Sequence, residues 1–138
     1  MTEPELRALG AAALTEEAFR LGLAPDTVYK TTCPPGQLWE TTRGGLIPWR
    51  PTTNLAQADA AFRRLRARGW STSVVWFADD RQYGSVWACC GGRAYSARWP
   101  LDVPSEAHAV LLVSVIVAAH IKKQEGGDGR AEKSPCDD

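Results

Sequence analysis

Between Thr53 and Lys122 the chain carries an unbroken succession: a capped amphipathic helix, three short aromatic-rich strands joined by tight turns, and a long, almost wholly apolar segment. That order leaves few folds open. Leu55, Ala58, Phe62 and Leu65 recur at the three- and four-residue spacing of one buried helix face, behind a cap at Thr53 or Asn54 and ahead of a stop at Gly69. Gln57, Arg64 and Arg68 fall on the opposite face and are expected in solvent. Ser73–Ala78, Tyr83–Cys90 and Arg93–Trp99 are rich in β-branched and aromatic residues, and Pro100 stops the third run. Asp79, Asp80, Arg81 and Gln82 make one polar connection and Gly91-Gly92 a two-residue turn, which predicts an antiparallel meander.

The apolar segment opens near Pro104 and Ser105, has Glu106 in its first turn, and places Lys122 and Lys123 at the negative end of a helix dipole. Val110–Val117 is rich in β-branched residues, so a fourth strand is the alternative. Its length, its capping charges and its lack of alternation favour a helix. The reading is an α+β fold: an α-β-β-β-α core with a three-stranded antiparallel sheet (four-stranded on the alternative) packed by helices, plus an N-terminal helix.

Ahead of this core, Thr2 and Glu5 form a capping-box pattern, Gly10 interrupts the helix it starts, and Leu14, Ala18 and Leu21 resume the spacing until Gly22 and Pro25. One helix with a weak middle, or two short ones, is expected. Residues 26–51 mix prolines and glycines with Tyr29, Trp39, Ile47 and Trp49, which predicts a loop pinned by Trp39 and Trp49, with one short strand around Gln37–Thr41. At 138 residues the expectation is one globular domain over 1–123, its core at 48–122, with 124–138 a disordered polar tail.

With 16 basic and 16 acidic residues, the whole-chain balance draws the protein to neither nucleic acid nor an anionic membrane. The apolar run Ala109–Ala119 is shorter than the roughly 18 residues of a bilayer span, so no membrane partner is expected. Met1–Gly10 is acidic and broken by Pro4, unlike a signal peptide, so the protein is expected in a cytoplasm. Cys89 and Cys90 are adjacent on a strand and point to opposite faces, so they make neither a disulfide nor a metal clamp. With Cys33 and Cys136 they are expected as reduced thiols.

His108 and His120 stand twelve apart on one helix and diverge by about 120°, which excludes a shared metal. Gly91-Gly92 follows a strand without opening a helix, so it makes no phosphate loop. Neither a nucleophile elbow nor a spaced carboxylate pair stands in the sequence. No catalytic, metal or cofactor residue is therefore assigned, and two surfaces remain. Alternation turns Tyr95, Ala97 and Trp99, with Val86, Ala88 and Cys90, toward the helices. That leaves Tyr83, Trp87 and Trp76, with Arg98 nearby, as an aromatic platform on the other face, unless the N-terminal helix and the Trp39–Trp49 segment cover it. The second surface is Arg63, Arg64, Arg66 and Arg68, grouped within about one and a half helical turns. It is either a solvated face or, with Arg43 and Arg50, a phosphate-contacting one.

The turn Pro51-Thr52-Thr53-Asn54-Leu55, the Ala-rich helix ending Phe62-Arg63-Arg64-Leu65, the paired aromatic strands and Val103-Pro104-Ser105-Glu106-Ala107 before the last helix together resemble the phage ABA sandwich domain over residues 48–121. The resemblance implies a compact helix–sheet–helix domain of phage or prophage origin and supplies no catalytic or binding residue. The last helix departs from that pattern in its β-branched content and in lacking an arginine near its start. Double-stranded RNA binding domains share the α-β-β-β-α order, but they meet phosphate with lysines where this chain has Glu106, which repels it. The expectation is a non-enzymatic accessory protein in the cytoplasm of a bacterial host. It binds a host or phage macromolecule, a protein before a nucleic acid, or pairs with itself through the aromatic faces.

Overall fold

The computed structural model describes residues 1–32, 35–77 and 80–127. Among them the elements run α1 (Glu3–Arg7), α2 (Ala11–Arg20), β1 (Val28–Thr32), β2 (Pro35–Thr42), β3 (Gly45–Pro48), α3 (Leu55–Ala67), β4 (Ser71–Phe77), β5 (Asp80–Cys90), β6 (Arg93–Trp99) and α4 (Glu106–Gly127). This is a mixed α+β fold with two three-stranded antiparallel sheets, ordered β1-β2-β3 and β4-β5-β6.

The helix boundaries follow from local chemistry. The Glu5 amide donates to Thr2 Oγ1 at 3.4 Å and the Thr2 amide to Glu5 Oε1 at 3.1 Å, the reciprocal cap expected of that pair. Gly10 separates α1 from α2, so the N-terminal helix is two short ones. Asn54, rather than Thr53, caps α3, its Oδ1 accepting from the Gln57 amide at 3.2 Å. At the other end the Trp70 amide donates to Leu65 O and the Gly69 amide to Arg66 O, each at 3.1 Å, with Gly69 at φ +92°. This is the left-handed stop a glycine makes at least cost. Ser105 caps α4 by accepting from the His108 amide at 3.3 Å.

Val110–Val117 is helical, which excludes the fourth strand. Residues 107–117 of α4 are all buried, so this helix lies at the centre of the protein with apolar groups on every side. Strands β5 and β6 cover one side, and α1, α2 and α3 pack around the rest. Ser114, buried there, satisfies its hydroxyl by donating to Val110 O at 2.7 Å. The helix runs past Lys122 and Lys123 to Gly127, so residues 124–127, expected in the tail, are helical. Residues 128–138 of that tail, and Asp79 of the polar connection, lie outside the described residues.

Residues 26–51 are not a loop. They fold into the β1-β2-β3 sheet, with Tyr29 opposite Trp39 and Glu40 opposite Ile47. The reason this escapes a pattern search is physical: β3 is exposed throughout, and β1 and β2 each bury one apolar side chain, Val28 and Leu38. No alternation results. Trp49 is the anchor, only 2% exposed, whereas Trp39 is half-buried.

Two further expectations are corrected. Gln57 is not on a solvated helix face: it is 6% exposed, because its amide is fully engaged at the junction of α3 with the first sheet. Its Oε1 accepts from the Arg50 amide at 2.7 Å, and its Nε2 donates to Glu40 Oε1 at 2.9 Å and Pro48 O at 3.0 Å. Cys90 is disulfide-bonded rather than reduced, with its partner outside the described residues, while Cys89 is a free, exposed thiol. Adjacent positions on a strand face opposite ways, which keeps the two chemically separate.

Candidate functional site

The second sheet has one buried and one open side. Its registers set Val74 beside Val86 and Ala97, and Val75 beside Ser85 and Arg98; Ser73 flanks Trp87 and Ser96 in the next row. Because the first of these rows is packed on α4, the others face away from it. Val75, Phe77, Tyr83 and Trp87 stand there between 41% and 50% exposed. Neither the N-terminal helices, which pack on α4, nor the first sheet covers them.

The serines between these side chains shape the surface. Trp87 Nε1 donates to Ser85 Oγ at 2.9 Å, which satisfies the indole N–H, fixes the ring, and leaves Ser85 only 5% exposed. The hydroxyl therefore works beneath the aromatic and the ring meets solvent. Arg98 lies at the edge of the patch, its own amide donating to Asp102 Oδ2 at 2.9 Å and its Nε 3.7 Å from that oxygen.

Of the residues singled out in the sequence, Tyr83, Trp87 and Arg98 come together on this face. Trp76 does not. It pairs with Gly84, on the row that turns toward α4, and its Nε1 donates to Glu106 Oε1 at 3.1 Å in the first turn of that helix. Val75 and Phe77 take its place. They were not separable from Val74 and Trp76 by sequence, since four consecutive apolar residues carry no alternation. Register against Ser85 and Trp87 sorts Val75 from its neighbours, while Phe77 lies beyond an irregularity in the pairing, opposite Asp80, and follows Val75 by alternation along β4.

The three arginines of α3, Arg63, Arg64 and Arg66, and its C-cap residue Arg68 are engaged within the molecule. Arg63 Nε lies 2.8 Å from Asp59 Oδ2, Arg68 pairs with Glu125, Arg66 Nε donates to Thr72 Oγ1 at 2.5 Å, and Arg64 Nη1 reaches Gly22 O at 3.5 Å. The guanidinium of Arg66 also stacks over Phe62 at 6.0 Å. Exposed pairs of this sort are worth little to stability, but two of the four charges are offset by carboxylates, which weakens the local positive field.

His108 and His120 occupy different surroundings. His108 is buried at the start of α4, and burial lowers its pKa. His120, near the other end, lies edge-on to Trp70 and tilted against Tyr95, with centroids 6.1 and 6.0 Å away. Its pKa is lowered by burial first and then by Arg93 and Lys123. Both rings are thus favoured neutral in the folded chain, whereas in the unfolded chain they titrate near 6.5. The stability they contribute is present above pH 6.5 and is lost as pH falls through the lowered folded values. Urea unfolding measured from pH 7.5 to 5.5 should show a falling midpoint, and the double variant His108→Gln/His120→Gln should flatten that slope.

Among the described residues, no group of three or more His, Cys, Asp or Glu side chains is placed to hold a metal ion. No helix among them is long and apolar enough to cross a membrane. Comparison with protein families, curated proteins and solved structures returns no match to this chain.

Proposed function

We propose that this is a phage- or prophage-encoded, non-enzymatic accessory protein that binds a host or phage protein through the open face of the β4-β5-β6 sheet. The observation that carries the binding role is the exposure of Val75, Phe77, Tyr83 and Trp87 on one side of a sheet whose other side is packed. Four large apolar side chains gathered on one surface cost solubility, and a partner's surface removes that cost. Trp and Tyr are the side chains that most often dominate protein interfaces, because they bury much area while fixing few rotatable bonds. The hydrogen bond from Trp87 to Ser85 orders the indole before any partner arrives. Phage origin rests on the resemblance of the helix-start pattern to that of the ABA sandwich domains.

A second copy of the chain is a subsidiary partner, joined face to face through the same residues. The nucleic-acid reading, through Arg43, Arg50, Arg63, Arg64, Arg66 and Arg68, has less support because the α3 arginines already have partners within the fold. If it were right, affinity for duplex would fall by orders of magnitude between 50 and 200 mM salt.

A photo-crosslinking residue placed at Trp87 and at Val75, with the protein expressed in the infected host, tests the main reading. Adducts should form with one protein partner or with a second copy, and should disappear in a Phe77→Ser/Tyr83→Ser background. These surface changes should move unfolding free energy by only about 0.5 kcal/mol each, so loss of adducts is not loss of fold. Unchanged adducts in that background would remove this face from the binding role.

A further inference from the structure

A second feature lies away from the open sheet face. Where the start of β6 meets the last turns of α4, a cleft of about 450 Å³ opens between those elements and the two N-terminal helices. Its lining holds four basic side chains, Arg20, Arg93, Lys122 and Lys123, against two acidic ones, Glu3 and Glu17. The acids are already engaged. Glu17 accepts from Arg20 Nε at 2.8 Å and from its Nη2 at 2.5 Å, and Glu3 lies 2.8 Å from Arg7 Nε. Arg93, Lys122 and Lys123 have no ion-pair partner among the described residues. In a chain of zero formal charge, this gathers on one concave, half-apolar surface three cations that have no acidic partner among the described residues.

His120 and Tyr95 line the same cleft. His120 Nε2 is buried without a hydrogen-bond partner, so a ligand in the cleft would be met by the other ring nitrogen. The charged and titratable groups that share this cleft with the ring are Arg93 and Tyr95 of β6, Lys122 and Lys123 of its own helix, Glu17 and Arg20 of α2 and Glu3 of α1, of which Arg93 and Lys123 act on it directly.

We propose that this cleft binds a phosphate-bearing small molecule, its phosphate seated between Arg93 and Lys123 beside His120. A guanidinium offers a planar fork that matches phosphate oxygens, and an ammonium adds a mobile point charge. The volume lies in the range of small-ligand pockets, which leaves room for an organic group beyond the phosphate against Tyr95. A bound dianion also reverses the local field at His120: the two cations that favour its neutral form are offset, and the ring takes up a proton to become a third donor.

The test is a titration of the whole chain with sodium phosphate, and in parallel with sodium acetate at the same ionic strength, followed through the His120 ring signals by NMR. Phosphate should give saturable shifts and raise the His120 pKa, while acetate should do neither. Arg93→Gln and Lys123→Gln should each weaken phosphate binding by about tenfold, equivalent to about 1.4 kcal/mol, whereas Arg64→Gln, outside the cleft, should leave it unchanged. Both cleft residues are replaced at the surface, and a thermal melt verifies that the variants fold. Equal, non-saturating responses to phosphate and acetate would overturn the proposal. So would a double variant Arg93→Gln/Lys123→Gln that binds phosphate as the parent chain does.

Discussion

Gly84→Ala should lower the unfolding free energy by about 3 kcal/mol, at the upper end of what overpacking a well-filled site costs. Gly84 lies in the middle strand of the second sheet, opposite Trp76 on one side and Trp99 on the other. Its backbone needs no unusual conformation; the requirement is space. A Cβ there would lie 2.4 Å from the Trp99 ring and 2.4 Å from the Val75 carbonyl oxygen. The carbonyl belongs to the sheet backbone, and Trp99 is 3% exposed and hemmed by the core, so neither can step aside cheaply. Urea unfolding gives the measurement. Trp99→Leu will itself destabilise by opening a cavity, but the double variant should cost less than the two changes summed, because a smaller side chain relieves the clash. A single variant within about 0.5 kcal/mol of the parent would mean that Trp99 does not lie across the strand. The effect extends to the open face, since Tyr83 is the next residue and Val75 supplies the obstructing carbonyl.

The second sheet was legible in the sequence because β5 and β6 alternate and the turn between them is chemically explicit. Val86, Ala88, Cys90 and Ala97 are buried as their spacing demands, and both glycines of the Gly91-Gly92 turn have positive φ, at +55° and +81°. The helices were legible through their caps. What could not be read was anything that depends on register or on polar burial. Trp76 and Val75 are neighbours in an unbroken apolar run, and only pairing with β5 assigns them to opposite faces. The first sheet is held by backbone hydrogen bonds and two or three apolar anchors, so its composition looks like that of a loop. The cationic cleft gathers Arg93 and Lys123 from elements thirty residues apart in sequence, with no linear motif between them.

Gln57 is the sharpest case of polar burial, and it carries the other large prediction. Gln57→Leu keeps the side chain's bulk but removes both an acceptor and a donor, leaving the Arg50 amide, the Pro48 carbonyl and the Glu40 carboxylate to find other partners. Each buried polar group left unmet costs about 1–3 kcal/mol, while leucine gains somewhat from burial, so a net loss of about 3 kcal/mol is expected. Gln57→Glu should not rescue it, because a carboxylate there would face Glu40 and the Pro48 carbonyl instead of donating to them. The lesion is local. Trp49 and Leu38 still anchor the first sheet apolarly, so hydrogen exchange should quicken first at the Trp49 and Arg50 amides, with α4 and the second sheet protected until global unfolding. If exchange rises uniformly instead, the two sheets open as one unit. Because Val75, Phe77, Tyr83 and Trp87 belong to the sheet that does not depend on Gln57, crosslinking from the open face should survive Gln57→Leu under conditions where the protein is folded. Gly84→Ala, by contrast, should weaken it. This difference separates the part of the chain that completes the fold from the part that presents the surface.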